Sequence, residues 1–168
     1  IYSLAVSSGL HGQAVSFLDG SDVTVSLFAD GSAQPQYTVT VPAGEKSGGK
    51  YTAVYDIPSV AAGTYTVQVS KKNHVTREYT VTVGGDVKTL NVEIWLSGDV
   101  NADGIIDMTD AMQINRKFNG KTSVFDKGDS ETKAYRLKVA NIYSDNSLDT
   151  TDSGQLQRHY NGKSSVLS

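Results

Sequence analysis

The sequence has no cysteine, which excludes disulfides, thiolate metal sites and thiol catalysis. Charge of one sign is also missing. Fifteen Lys and Arg stand against 18 Asp and Glu, for a net charge of −3, so there is no basic field to attract nucleic acid. No run of 18 apolar residues occurs, and no membrane-spanning helix or membrane insertion is expected. An amino-terminal signal pattern is absent as well, and the opening at Ile1 suggests a piece cut from a longer protein. Histidine is sparse. His11, His74 and His159 lie far apart and outside any motif that would pair a base with an orienting group, as acid–base catalysis requires. What remains, at 168 residues, is enough for one ordinary domain or two small ones.

The chain has two grammars. Over residues 1–97, short runs alternate apolar and polar side chains: Val23-Val25-Leu27, Tyr37-Val39-Val41, Tyr51-Ala53-Tyr55-Ile57, Tyr65-Val67-Val69, Tyr79-Val81-Val83 and Leu90-Val92-Ile94-Leu96. A period of two is the mark of half-buried strands. Turn signals such as Asp30-Gly31, Pro42-Ala43-Gly44 and Gly84-Gly85 separate them. This predicts a small antiparallel β-sandwich. Trp95 sits at the end of the last run and is expected to pack at the junction between the two modules rather than to form a sugar platform. From Gly98 the alternation stops and helical spacing appears. Ile114 and Phe118 lie four apart, as do Leu156 and Tyr160, so each pair is expected on one core-facing helix stripe. Asn119-Gly120 and Asn161-Gly162 supply the stops.

The second region, 98–168, repeats itself. Asp110 to Lys121 aligns with Asp152 to Lys163 at a constant offset of 42 residues, keeping Asp, Gln, Arg, Asn, Gly and Lys at matching positions. Such duplication implies two similar units packed together. A carboxylate-rich loop precedes each copy. In the first, Asp99, Asn101, Asp103, Asp107 and Asp110 occupy positions 1, 3, 5, 9 and 12, with Gly104 at position 6. Calcium seeks six to eight oxygens, and this is the spacing of a loop that wraps it, with Ile105 at position 7 offering its carbonyl. The second loop keeps Asp145, Asp149 and Asp152 at positions 5, 9 and 12, and has Ser147 at 7. Position 1 is Asn141, position 3 is Tyr143 and position 6 is Asn146. Two Ca2+ sites are therefore expected, the second irregular. Residues 121–139 form a long connection whose second half alternates through Tyr135, Leu137 and Val139.

These loop–helix repeats resemble the dockerin family of cellulosomes, in which each calcium loop lacks the entering helix of a full EF-hand. Strand-like residues Asn91 to Leu96 leave no room for one here. The upstream sandwich is similar to the X modules that precede some dockerins, and its segments 62–67 and 79–83 are similar to carboxypeptidase-regulatory-like immunoglobulin-type sandwiches. The resemblance implies a dyad, an X module over 1–97 and a dockerin over 98–168, of ruminococcal more than clostridial type. It implies a non-catalytic module, secreted or attached to a bacterial surface, that docks onto a cohesin in a polysaccharide-degrading assembly, with the X module as buttress. Cohesin contacts carried over by register are Met108, Thr109, Met112, Asn115 and Arg116 in the first repeat. Those in the second are Thr150, Thr151, Gln157 and Arg158. Near-symmetric dockerins can bind in two orientations; the unequal side chains here predict one.

Other functions fit less well. A calcium sensor that opens needs paired helices around each loop. A glycosidase needs two free carboxylates flanking a cleft, and here the well-placed ones belong to the loops. The alternative kept open is a carbohydrate-binding sandwich fused to a calcium-stabilised docking domain.

Overall fold

The computed structural model describes residues 8–18 and 20–167. Contacts divide the chain into two compact units. The first comprises residues up to Lys72 together with Thr76–Ile94, and the second Asn73–Val75 together with the residues from Trp95 onward.

The first unit is a β-sandwich. Strands β1 (Gly9–Ser16), β4 (Glu45–Ser47), β5 (Lys50–Pro58), β8 (Val87–Thr89) and β9 (Val92–Glu93) form one sheet in the order β4-β5-β1-β8, with β9 also on β1. Strands β2 (Val23–Ala29), β3 (Tyr37–Val41), β6 (Gly63–Ser70) and β7 (Arg77–Val83) form the other, in the order β3-β2-β6-β7. Alternation sends Leu10, Ala14, Val25, Leu27, Tyr55, Ile57, Val67 and Val81 into one shared core. Each fully buried aliphatic there contributes about 1.5–3 kcal/mol of transfer free energy. The outward residues of the second sheet are hydroxylic, and Thr24–Thr40, Ser26–Thr38 and Thr64–Thr82 meet as cross-strand pairs.

Two expectations need correction here. The sheets are not purely antiparallel: β8 and β9 both run parallel to β1. After β7 the chain leaves one sheet and joins the other beside β1, and that crossover sets its direction. Of the expected single strand through Leu90, Val92, Ile94 and Leu96, only β9 and an isolated bridge between Leu96 and His74 form. The central strand β1 shows no clear alternation in the sequence, because Gly12 and Ser16 interrupt its inward face. Gly12 is required. A Cβ there would lie 1.9 Å from the Leu90 carbonyl oxygen, which is held by the Tyr55 hydroxyl at 2.6 Å.

The second unit is built on α1 (Met108–Phe118), α2 (Ser130–Ala140) and α3 (Thr150–Tyr160). Helices α1 and α3 pack against each other, with Ala111, Ile114 and Leu156 fully buried and the Ser153 hydroxyl bonded to the Asn115 side-chain oxygen at 2.9 Å. Phe118 and Tyr160 are 55% and 57% exposed. They lie in the last turn of their helices, beyond the packed stretch, so the expectation that they belong to the core is wrong.

The connection 121–139 is also not strand-like. It contains a one-turn 3-10 helix, Val124–Asp126, and then α2. Tyr135 and Val139 are buried four residues apart, while Leu137 between them is 42% exposed, so the period is helical. Asp129 caps α2 by accepting from the Thr132 amide at 2.7 Å. Tyr135 stacks at 5.2 Å on Trp95, accepts from the Trp95 amide and donates to the Val75 carbonyl. Arg136 lies over the Trp95 ring at 5.0 Å and donates to the Val124 and Lys127 carbonyls. Trp95 thus packs within this unit, as an anchor for the insert helix.

Candidate metal loops and helix face

Each carboxylate loop is bent by two left-handed residues. They are Ala102 and Gly104 (φ 61° and 84°) in the first loop, and Ser144 and Asn146 (φ 56° and 64°) in the second. Both are loop positions 4 and 6. For a non-glycine residue this conformation costs roughly 1–2 kcal/mol, and Asn bears it best. The two loops therefore share a backbone even where glycine has been lost.

The shared frame is organised by position 12. Asp110 accepts from the amides of Val100 at 2.9 Å, Asn101 at 3.3 Å and Asp107 at 3.0 Å. Asp152 accepts from the corresponding amides of Ile142 at 2.8 Å, Tyr143 at 3.1 Å and Asp149 at 3.1 Å. Position 9 caps the helix that follows: Asp107 and Asp149 accept from Thr109 and Thr151 at 2.6 and 2.7 Å. Caps of this kind contribute about 1 kcal/mol, and acidic groups in the first turn complement the helix dipole.

Position 1 is where the loops part. Asp99 is fully buried and accepts from the Asp103 and Gly104 amides at 3.1 and 2.8 Å, closing the first loop. Asn101 and Asp103 join the same network, and Asp103 also accepts from the Ile105 amide at 2.9 Å. In the second loop, the Asn141 side-chain oxygen is buried and accepts no hydrogen bond. Asp145 is held instead by the amide and hydroxyl of Ser147 at 3.0 and 2.8 Å. Tyr143, at position 3, is 52% exposed.

The electrostatics follow this division. Burial, with the charges of Asp110 and Asp103 adding to it, pushes the Asp99 carboxyl up to about 7, against the pull of its two amide bonds. Burial likewise raises Asp110 to about 6, although three amides oppose the shift. Carboxylates crowded and desolvated in this way lack a counter-charge. In the second loop, Asp145 is held below the usual carboxylate range by the Ser147 hydroxyl and amide.

Among the described residues no three Asp, Glu or His side chains converge as a ligand cluster on their own; the carboxylates are turned onto backbone amides. An oxygen that accepts one amide keeps a second acceptor site. The donor set is wholly oxygen: carboxylates, an Asn amide and backbone carbonyls in the first loop, with Asn141 and Ser147 adding theirs in the second. Hard divalent cations take this chemistry, and the unpartnered buried oxygen of Asn141 suits it too.

The segment matching a known family is this one. Residues 97–161 match the model of the dockerin type I domain. This match spans most of the second unit. Domains of this family bind calcium and are docking modules, not catalysts. No curated protein matches the chain. Among the solved structures that align with it are two crystal structures of type II cohesin–X–dockerin complexes from Acetivibrio cellulolyticus. The N-terminal interface mutant aligns at 22% identity over 89% of this chain and 92% of that one, with a TM-score of 0.37. The C-terminal interface mutant aligns at 22% identity over 88% and 93%, with a TM-score of 0.34.

Helices α1 and α3 present unequal faces. On α1, Met108 and Met112 are 43% and 50% exposed. With Ala111, Asn115, Arg116, Asn119 and Lys121 they line a shallow depression of about 230 Å³. Thr109 is exposed beside them. On α3, Thr150 and Thr151 are exposed, Gly154 stands where α1 has Met112, and Gln157 is half-buried. Arg116 and Arg158 are exposed, but each is tied by its Nε to a carbonyl beyond its helix, Thr122 and Ser164, at 2.7 Å.

Sequence reasoning overlooked two residues of this frame. The side-chain oxygens of Gln113 and Gln155 accept from the Val124 and Val166 amides at 3.0 and 3.2 Å. With the Arg ties, they extend the structural repeat to residues 124 and 166, past the aligned block. The signal was available, as both Gln are identical at the 42-residue offset.

Proposed function

We propose that residues 98–168 dock onto a cohesin in a calcium-dependent manner, and that residues 1–97 are an X module that buttresses them. The dyad attaches its parent protein to a scaffold or cell surface outside the cell, in an assembly that degrades polysaccharide. The observation that carries this is the duplicated loop–helix frame within a dockerin type I match, with an exposed apolar face on α1.

Two calcium ions are proposed. The first would be held by Asp99, Asn101, Asp103, Asp107 and Asp110 with the Ile105 carbonyl. The second would be held by Asn141, Asp145, Ser147, Asp149 and Asp152, with Tyr143 supplying no equivalent of Asn101. Bound calcium supplies the positive charge that the crowded carboxylates lack, so that metal binding becomes folding free energy. The chain's own part is positional. Asp107 and Asp149 start the helices, Asp110 and Asp152 fasten loop to helix, and Met108, Thr109, Met112, Asn115 and Arg116 present the main contact surface. Thr150, Thr151, Gln157 and Arg158 form its weaker counterpart. Met offers flexible apolar area, whereas the cations at the rim govern on-rate more than affinity.

The test is calorimetry and pull-down against a panel of cohesins, with and without chelator. At least one cohesin should bind, and excess chelator should abolish both binding and the helical circular dichroism. Helix content and binding that survive chelator would overturn the calcium reading; failure with every cohesin would overturn the docking one.

A further inference from the structure

We propose that the outer face of the five-stranded sheet carries a binding cleft for a short neutral saccharide. Register aligns its polar residues. His11 stands opposite Asp56 on β5 and Thr89 on β8, and Gln13 stands opposite Val54. Their chain neighbours Leu10 and Ala14 are buried in the core, so His11 and Gln13 face out. The surface is concave, at about 430 Å³, lined by these residues with Gly12, Tyr55 and Asn91. The volume falls in the range of small-molecule sites, roughly 300–1,000 Å³. Between these outward side chains the opposed pair Gly12 and Tyr55 faces inward.

The groups in the cleft are oriented. The Asn91 side-chain oxygen accepts from the Gln13 amide at 3.0 Å, which leaves its NH2 to donate outward. His11 Nε2 shares a proton with the Thr89 hydroxyl at 2.6 Å, fixing the ring and leaving Nδ1 for a ligand. Asp56 and the Gln13 side chain are exposed. Val54 is 72% exposed, while Ala53, Tyr55 and Ile57 of the same strand are buried.

Donors and acceptors therefore alternate around one small apolar spot. Vicinal hydroxyls fit a carboxylate flanked by amides, and the C–H face of a sugar fits Val54. The Asp56 carboxylate repels phosphate and other anions, and the polar rim disfavours a purely apolar ligand. This site lies in the first unit and stands independently of cohesin docking.

The experiment is an amide NMR titration of the full chain with cellotetraose, xylotetraose and mannotetraose at millimolar concentrations. At least one should shift the amides of His11, Gln13, Val54, Asp56 and Asn91, with or without chelator. Asp56→Ala and Gln13→Ala should each weaken binding at least about tenfold, the weight of a hydrogen bond to a charged or well-oriented group. Thr66→Ala on the opposite sheet should change nothing. Cohesin affinity should be unaffected by all three substitutions, which separates this test from that of docking. If no tetrasaccharide shifts these amides, or if both cleft variants bind like the parent, the proposal is wrong.

Discussion

The two carboxylate loops of the second unit have one backbone and two electrostatic characters. Both place left-handed residues at positions 4 and 6, and both hang three amides on the carboxylate at position 12. Yet Asp99 closes the first loop and is raised by burial, while the Asn141 oxygen in the second is left unpartnered. Shape is carried by the backbone and by position 12, whereas charge is carried by position 1. A loop can lose much of its charge and keep its form, because different residues hold each.

The first way to break this comparison is at the shared frame. Asp110→Ala and Asp152→Ala each leave three amides unpaired, at about 1–3 kcal/mol for each buried group. Both should lower stability by roughly 3 kcal/mol or more, and by similar amounts. Chemical unfolding of the two variants in calcium checks this; a cheap Asp152→Ala would show that the frames differ.

Position 1 should separate the loops. Asp99→Ala is expected to weaken calcium at the first site by roughly 100-fold, and Asn141→Ala to weaken the second by less than about tenfold, because ligand charge tunes affinity. Two-site calorimetry decides. A second site equal to the first or tighter would remove the basis for calling them unequal.

The helix faces should differ in step with their side chains. Met108→Ala with Met112→Ala should weaken cohesin binding by more than about tenfold, or 1.4 kcal/mol. Thr151→Ala with Arg158→Ala should cost less. If each double variant binds like the parent and only their combination fails, the two faces are interchangeable and a single orientation is excluded.

The smallest effect is on pH, and it runs in opposite directions. Asp99 and Asp110 titrate near 7 and 6 in the folded, metal-free first loop, above the unfolded carboxylate value. Folding therefore favours their protonated forms. Metal-free stability should rise as pH falls from about 7 towards 4, and calcium affinity should fall over the same window as protons compete. Asp145 is shifted down, so its contribution is present above the unfolded value and is lost only as pH falls through its lower folded value. Calcium titrations at pH 7.5 and 5.5 should weaken the first site more than the second.

Much of the molecule was legible in advance wherever a pattern was local. The inward strand residues, the loop spacing and the stops at Asn119 and Asn161 all act within a few residues of chain. The misreadings came where local patterns were ambiguous. Tyr135 and Val139 lie both two pairs apart in a strand and one turn apart in a helix, and only the exposure of Leu137 decided between them. Phe118 continues the stripe of Ile114 but is exposed, and nothing local marks where packing ends. In β1, Gly12 and Ser16 on the inward face hide the central strand of a sheet.

The sequence by itself determined where the loops lie, which oxygens they offer and that the unit is doubled, because each depends on side-chain type at short fixed spacing. Tertiary structure alone decided that β8 and β9 run parallel to β1 and that Gln113 and Arg116 pin the chain beyond their helix. It also decided that Asp99 is buried and starved of counter-charge while Asn141 keeps an oxygen free. Direction, burial and unmet hydrogen bonds depend on neighbours distant along the chain, and no spacing rule within a segment encodes them.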